Sequence, residues 1–364
     1  MSSTLRSSIS ADYGALLPDV FDGPAIVEAR ATCGDCAMCP SPGVDAARGL
    51  VVEHFLPSTK CCTYHPTLPN FLVGALLSDF NPDMADGRRR IVEAVARGEG
   101  VTPLGIAPPA EYARRYREER PTSFGRSEVL LCPYYARSTG SCSIWRHRES
   151  VCTTFFCKHT LGATGHSFWM GLRAYLEHVE AALARDAAAH LVPEAHSGAS
   201  GWGEWRGREV DLYIACADHV RRLDRGAFAE IVDGETERTT EPAAMLLKTV
   251  VDRHSAAVDL RAAHASHLVL NRRLHVVGAD AGVAVTVDNR YDSVFLSDTL
   301  FEALKEFSSS EPARAVQARL RRDHGVDLPD EMVSKLAILG ILLPLSDDRH
   351  DRSDSEIPHE REAK

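Results

Sequence analysis

The hydrophobic positions of this chain change their period along its length, and the changes mark its organisation. Between His166 and Leu191, apolar side chains at Phe168, Leu172, Leu176, Val179, Leu183 and Leu191 recur close to every 3.6 residues, with alanines between them. That spacing predicts one long amphipathic helix. A second helix is predicted over Arg208–Asp224 from Val210, Tyr213, Ile214 and Val220, after a turn at Trp202–Trp205. A third starts after Pro242 and runs to about His264. From Leu268 the period drops to two. Leu268–Val277 and Ala281–Asp288 alternate about the segment Gly278–Gly282, the signal of a β-hairpin. Three short helices are expected next, over Ser297–Phe307, Glu311–His324 and Pro329–Leu339, with Ser297 or Asp298 as an N-cap and Gly325 as a stop. Gly340–Leu343 reads as a closing strand. A hairpin with three short helices outlines a winged helix.

Before His166 the periodicity is weak. Residues 1–30 read as a loose lead-in. From Cys33 to Cys157, Pro, Gly, Cys and His interrupt any long pattern, and helices are predicted only over Asn70–Ser78, Asp83–Arg97 and from after Pro108-Pro109 to Arg120, where Pro121 is expected to end it. Short extended pieces are expected at Val129–Cys132 and Cys142–Trp145. A region this poor in regular structure needs a cross-link, and thiolate–metal bonds would supply one. The expected fold class is therefore α+β, mostly α: an irregular cysteine-rich metal-binding module packed on long helices, followed by a winged-helix-like domain. The expected divisions are a lead-in at 1–30, the cysteine module at 31–165, a helical layer at 166–265, the winged-helix-like unit at 266–345 and a disordered acidic tail at 346–364.

Charge narrows the function. The 364 residues carry 41 Lys and Arg against 51 Asp and Glu, a net −10. The tail holds seven of the acids against four bases, so −3 of that charge belongs to it. The balance argues against a general nucleic-acid binder. No run of apolar residues is long enough to span a membrane, and Met1–Ser10 is Ser-rich without an apolar stretch, so a cytoplasmic protein without a membrane partner is expected. The oligomeric state is not encoded in any pattern we recognise.

The cysteines carry the candidate chemistry. Nine of the ten fall between Cys33 and Cys157, and a chain of this size without an export signal has little need of disulfides. Cys33, Cys36 and Cys39 form two successive C-x2-C steps, which let one tight loop aim three thiolates at one centre, as cluster-binding loops do. The ferredoxin run would continue to a cysteine at position 43, which is glycine here, so a simple ferredoxin is excluded. Cys61 and Cys62 are adjacent, and their side chains need not serve the same metal. Cys132, Cys142, Cys152 and Cys157 are spaced too widely for a single loop and suit ligands from several turns around a common centre. Soft thiolates with few interleaved carboxylates favour zinc or an iron–sulfur cluster. The number of thiols and the first loop favour iron–sulfur, 4Fe-4S, although spacing alone does not separate it from an S4 zinc site. Two four-cysteine sites are arithmetically possible, with one thiol to spare. Cys216, on an amphipathic helix, reads as a small core hydrophobe. His54, His65, His147 and His159 lie near the thiols in sequence, which in a chain with 16 histidines is weak grounds for ligation.

The run Cys142-x-Ile144-Trp145-x2-Arg148-x3-Cys152 resembles the C-x-I-Y-x2-R-P-x2-C signature of the YkgJ-type cysteine-cluster family, described as zinc- or iron-chelating proteins and including flagellin lysine N-methylase. Cys132-Pro133 stands where that family has a preceding CP element. Trp145 replaces its Tyr, Glu149 its Pro and Thr153 a common Arg. The resemblance covers roughly residues 33–160. It implies metal ligation by the cysteines, a place for Arg148 beside the bound cofactor, and a peptide or protein substrate modified by S-adenosylmethionine-dependent N-methylation. The region Leu268–Leu345 loosely resembles PqqD-like domains, which receive a peptide as an added strand along a hairpin edge. The alternatives left open are a non-enzymatic metal- or redox-responsive binding module and a winged-helix DNA-binding regulator. For the latter, Arg314, Arg319, Arg321 and Arg322 would be the basic face, opposed by Glu302, Glu306 and Glu311. P-loop, G-x-G-x-x-G and G-x-S-x-G signatures are missing from the sequence.

Overall fold

The computed structural model describes residues 4–29, 31–39, 54–192, 201–235, 241–262, 267–279, 281–289, 291–308 and 311–344. The acidic tail expected at 346–364 lies outside them. Helix dominates, at 54% against 11% strand, so the coarse class is mixed and mostly helical. In chain order the helices are α1 (Ala11–Gly14), α2 (Asn70–Ser78), α3 (Ala85–Arg97), α4 (Ala110–Ser123), α5 (Ser150–Thr154), α6 (Gly162–Leu191), α7 (Glu209–Arg221), α8 (Arg225–Glu235), α9 (Ala243–Ala262), α10 (Asp298–Leu304), α11 (Ala313–His324) and α12 (Asp330–Ile338). The strands are β1 (Leu68–Pro69), β2 (Val101–Thr102), β3 (Gly105–Ile106), β4 (Tyr135–Ala136), β5 (Ser141–Cys142), β6 (Leu268–Leu270), β7 (His275–Ala279), β8 (Gly282–Thr286), β9 (Val294–Ser297) and β10 (Leu342–Pro344).

α6 is the central rod. Its apolar positions Phe168, Leu172, Leu176, Val179 and Leu183 are all fully buried, against α7, α8 and α9. Each such side chain stabilises the fold by roughly 1.5–3 kcal/mol. α8 has no counterpart in the predicted elements. Only Phe228 and Val232 anchor its buried face besides Glu235, too short a repeat to stand out from the surrounding polar residues. α2 meets α7 so closely that a Cβ on Gly74 would stand 1.8 Å from the Tyr213 carbonyl oxygen.

The N-terminal segment is not a loose lead-in. Leu5, Ile9, Tyr13, Leu17, Phe21 and Ile26 are all buried in the same core as α6. Their spacing of about four carries the signal, but Pro18, Gly23 and several serines confine regular structure to short turns.

In the C-terminal unit, the predicted first strand Leu268–Val277 is divided. β6 pairs antiparallel with β10, Leu270 opposite Leu342, whereas β7 pairs with β8, and β8 with β9. Asn271 causes the break: its Oδ1 accepts from Arg273 N at 2.8 Å, forming a turn, and its Nδ2 donates to the Gly340 carbonyl. The expected caps hold. Ser297 Oγ accepts from Leu300 N, and Gly325 ends α11 at φ 65°.

The cysteine module is built from α2 to α5, the small β1–β3–β2 sheet and the β4–β5 hairpin. Two predicted extended pieces are corrected here. Glu128–Leu130 is a 3-10 turn, and beyond Cys142 the chain turns again at Trp145–His147. Among the described residues no helix is long and apolar enough to cross a membrane.

Candidate metal centre

The nine clustered cysteines sit on five separate pieces of chain, and backbone hydrogen bonds tie those pieces together. In the first loop Cys39 N donates to the Cys36 carbonyl at 3.0 Å, and Phe55 N reaches back to the Met38 carbonyl at 2.7 Å. The Cys61-Cys62 turn follows Lys60, whose φ of 49° is the one left-handed non-glycine value among the described residues. Cys132 N then donates to the Cys62 carbonyl at 2.8 Å. Cys142 lies across the β4–β5 hairpin from Tyr135. Glu149 caps α5 through its carboxylate, accepting from Val151 N at 2.5 Å and Cys152 N at 2.9 Å, and so fixes the turn that carries Cys152.

Packing sorts the thiols into two adjoining groups. Cys36, Cys39, Cys61 and Cys157 share an apolar nest with Met38, Phe55 and Phe124, and Cys33 is near enough to Cys36 and Cys61 to feel their charge. Cys62, Cys132 and Cys142 belong to a second nest with Tyr134, Tyr135 and Ile144. Cys152 is coupled electrostatically to Cys132 and Cys142. Adjacent Cys61 and Cys62 thus fall to different nests, although Cys62 is near enough to Cys61 to raise its pKa, and Cys142 feels both Cys33 and Cys61. Cys216 is away in the helical core, wholly buried.

Burial is the main force on these thiols, and each neighbouring thiol adds to it. Cys39 and Cys157 are pushed up to about 12, Cys33 and Cys142 are raised, and Cys132 and Cys152 are raised further. For Cys61 the neighbouring Cys62 thiol leads and burial follows. Ionising several of these thiols together would need a cation to offset them, which a coordinated metal would provide. Arg148 supplies part of that offset, since its charge favours the ionised forms of Cys33 and Cys142. It lies 3.5 Å over the Trp145 ring and donates to the carbonyls of Trp145 at 3.1 Å and Cys152 at 3.0 Å.

Of the histidines near the thiols, His147 and His159 have partners elsewhere, whereas the buried His65 Nε2 has no hydrogen-bond partner among the described residues. His65 is wedged edge-on against Tyr112 and Tyr134, and burial pulls it down to about 4, so it is neutral. His147 is held between the carboxylates of Asp12 at 2.8 Å and Asp79 at 3.0 Å. His159 faces Asn289. Among the described residues, no three of His, Cys, Asp and Glu stand together at the spacing that would hold one ion. The fit to a soft metal or cluster therefore rests on the donors: seven sulfurs in two adjoining nests with apolar walls, those of Cys33 and Cys152 at their margins, and a guanidinium beside them.

Several contributors escape the sequence. Glu180 is buried in mid-helix, accepting from Tyr13 Oη at 2.8 Å and from Ser150 N and Oγ at 3.0 and 2.8 Å; burial and then Glu149 raise its pKa. The β8–β9 loop reaches the first nest. Asn289 Nδ2 donates to the Cys157 carbonyl at 3.2 Å, Asp292 accepts from His159 N at 2.9 Å, and Tyr291 packs on Phe55 and Phe124. No local pattern announces any of these, because each works through a partner distant in sequence. Lys60 was missed too, although it is adjacent to the cysteine pair. Comparison with known proteins adds no neighbour: no family model matches the chain, and neither a curated protein nor a solved structure matches it.

Proposed function

We propose that this chain is a cysteine-cluster metalloprotein, binding iron–sulfur in preference to zinc and modifying a peptide or protein substrate. The observation that carries the reading is the packing of seven cysteines into two adjoining nests, with Cys33 and Cys152 at their margins. Cys33, Cys36, Cys39, Cys61 and Cys157 would serve one centre, and Cys62, Cys132, Cys142 and Cys152 the other. The count allows four ligands to each, with one thiol over. A bound 4Fe-4S centre would supply electron transfer or a Lewis-acidic iron. Arg148 would hold negative charge beside it, and the apolar walls would keep water out.

Peptide as substrate class is supported by the C-terminal unit. β7 is the edge of its sheet and is exposed along most of its length, Val277 by 51%. An extended segment would add there through main-chain hydrogen bonds, as in the PqqD-like domains it resembles. S-adenosylmethionine-dependent N-methylation is the concrete reaction, resting on the resemblance of Cys142–Cys152 to the cysteine-cluster family. DNA binding is disfavoured because three of the four arginines of the expected basic face are closely paired with acids: Arg319 with Glu306 and Glu311, Arg321 with Asp327, and Arg322 with Asp323.

The test is iron, zinc and acid-labile sulfide per chain in anaerobically purified protein, followed by S-adenosylmethionine and candidate peptides. Iron with equimolar sulfide and a mass gain on a peptide are expected. Zinc without sulfide overturns the iron–sulfur assignment, and absence of any thiolate-bound metal overturns the whole reading. A loaded but inert protein would favour the metal- or redox-responsive binding module instead.

A further inference from the structure

A groove of about 950 Å³ runs between the start of α3 and the β4–β5 hairpin, and Cys132 and Cys142 of the second nest lie on its lining. Its charge runs against that of the chain. Arg89, Arg90, Arg137 and Arg146 line it, opposed by Asp83 and Asp86, in a protein of net −10.

The four arginines are not equally engaged. Arg89 is spent on Asp86 and Glu93, and Arg90 on Asp86 and the Pro133 carbonyl. Among the described residues, Arg137 has a single hydrogen bond, to Glu128 at 3.1 Å. Among the same residues Arg146 has only a long ion pair, 3.7 Å to Asp79 Oδ2, and that oxygen already takes His147 Nε2 at 3.0 Å. Both of these side chains are 56% exposed. A guanidinium with unspent donors in a concave site matches a carboxylate with two parallel hydrogen bonds. Trp145 adds an exposed apolar wall at the same end.

We propose that this groove binds an extended peptide segment through acidic side chains, with Arg146 and Arg137 as the reading residues, so that the bound segment lies over Cys132 and Cys142. The proposal rests on the peptide-modifying reading above and names the sequence class of the substrate.

The experiment is fluorescence anisotropy at low salt on the purified, metal-loaded chain, with short labelled peptides of alternating Glu and Gly, Lys and Gly, or Ser and Gly. The Glu peptide should bind about tenfold or more tightly than either other. Arg146→Glu and, separately, Arg137→Glu should each weaken it about tenfold. Arg314→Glu, an equal charge change at an exposed site on α11, should leave it unchanged. Equal binding of the three peptides overturns the proposal, as does insensitivity to both groove variants when circular dichroism shows them folded. Displacement by free glutarate at the peptide's own concentration overturns it in favour of a small-acid site. Metal and sulfide content of the same sample report separately on the metalloprotein reading, so intact loading without peptide selectivity sinks this inference alone.

Discussion

Lys60 Nζ donates to the carbonyl of Cys33 at 2.7 Å, and the same ammonium reaches the Gly140 carbonyl at 2.7 Å. One side chain thus pins the first cysteine loop, the adjacent cysteine pair and the tip of the β4–β5 hairpin to each other. Its left-handed backbone aims it inward between them.

Replacing Lys60 by Met keeps the stem and removes both charge-assisted hydrogen bonds. A hydrogen bond to a charged group is worth about 1.5–3 kcal/mol, so a loss of about 2–4 kcal/mol is expected in urea unfolding. The site should loosen as well. Cys33 should react several-fold faster with a maleimide in Lys60→Met, and Lys60→Arg should recover part of the difference. Unchanged alkylation with lowered stability would make Lys60 a fold residue with no hold on the thiols.

His147 makes a pH prediction. Burial pulls its pKa down, but Asp12 and then Asp79 outweigh that and hold it above the usual value near 6.5. A histidine raised on folding stabilises fully below its unfolded pKa, and the contribution is lost as pH rises through the folded value. Urea midpoints should therefore fall from about pH 6.5 upward. His147→Gln should be less stable at pH 6, by about 1–2 kcal/mol, because two part-buried carboxylates lose their charged partner. It should also lack most of that decline. Parallel pH profiles for the two proteins would refute the assignment.

Glu180 makes the opposite kind of prediction. Its carboxyl is held above the usual range, first by burial and then by Glu149. The folded chain keeps that proton where the unfolded chain releases it, so stability falls as pH climbs from the unfolded value near 4.3 towards the folded one. Glu180→Gln preserves the shape: its amide oxygen can accept from Ser150 N while its Nε2 donates to the Tyr13 hydroxyl. It should cost under about 1 kcal/mol at pH 6 and flatten this fall. Glu180→Ala leaves Tyr13 and Ser150 unsatisfied and should cost about 2–4 kcal/mol. Equal losses in the two variants would show that no proton is held there.

What could be read in advance follows from the range of the forces involved. α6 and α7 were legible because burial along a helix repeats every few residues, and the loop of Cys36 and Cys39 because its spacing is local. Cys216 was legible as core for the same reason as its helix. The N-terminal segment was misjudged because its apolar spacing lacks a helix to carry it, and β6 because its partner β10 lies some 70 residues away. The sorting of Cys61 and Cys62 into different nests depends on Phe55 and Phe124 on one side and Tyr134 on the other, which no spacing rule contains.

The β8–β9 loop ties the C-terminal unit to the first thiol nest, and that tie is testable. Tyr291 packs edge-on to Phe55 at 5.4 Å and tilted on Phe124 at 5.7 Å, while Asn289 holds the Cys157 carbonyl. Tyr291→Ala removes a wall of the nest and should cost about 3 kcal/mol. Asn289→Ala keeps the ring packing but removes the hydrogen bonds to the Cys157 carbonyl, to His159 Nδ1 and from Tyr291 N, and should cost about 1–3 kcal/mol. Hydrogen exchange should show the difference in place. Tyr291→Ala should speed exchange both around Cys157 and in the 287–293 loop, and Asn289→Ala only at the hydrogen-bonded turn. If the C-terminal unit were attached through its helices alone, meeting α6 at Gly162 against Leu339, neither variant would alter exchange near Cys157. A change confined to the loop would mean that the thiol nest closes without Tyr291.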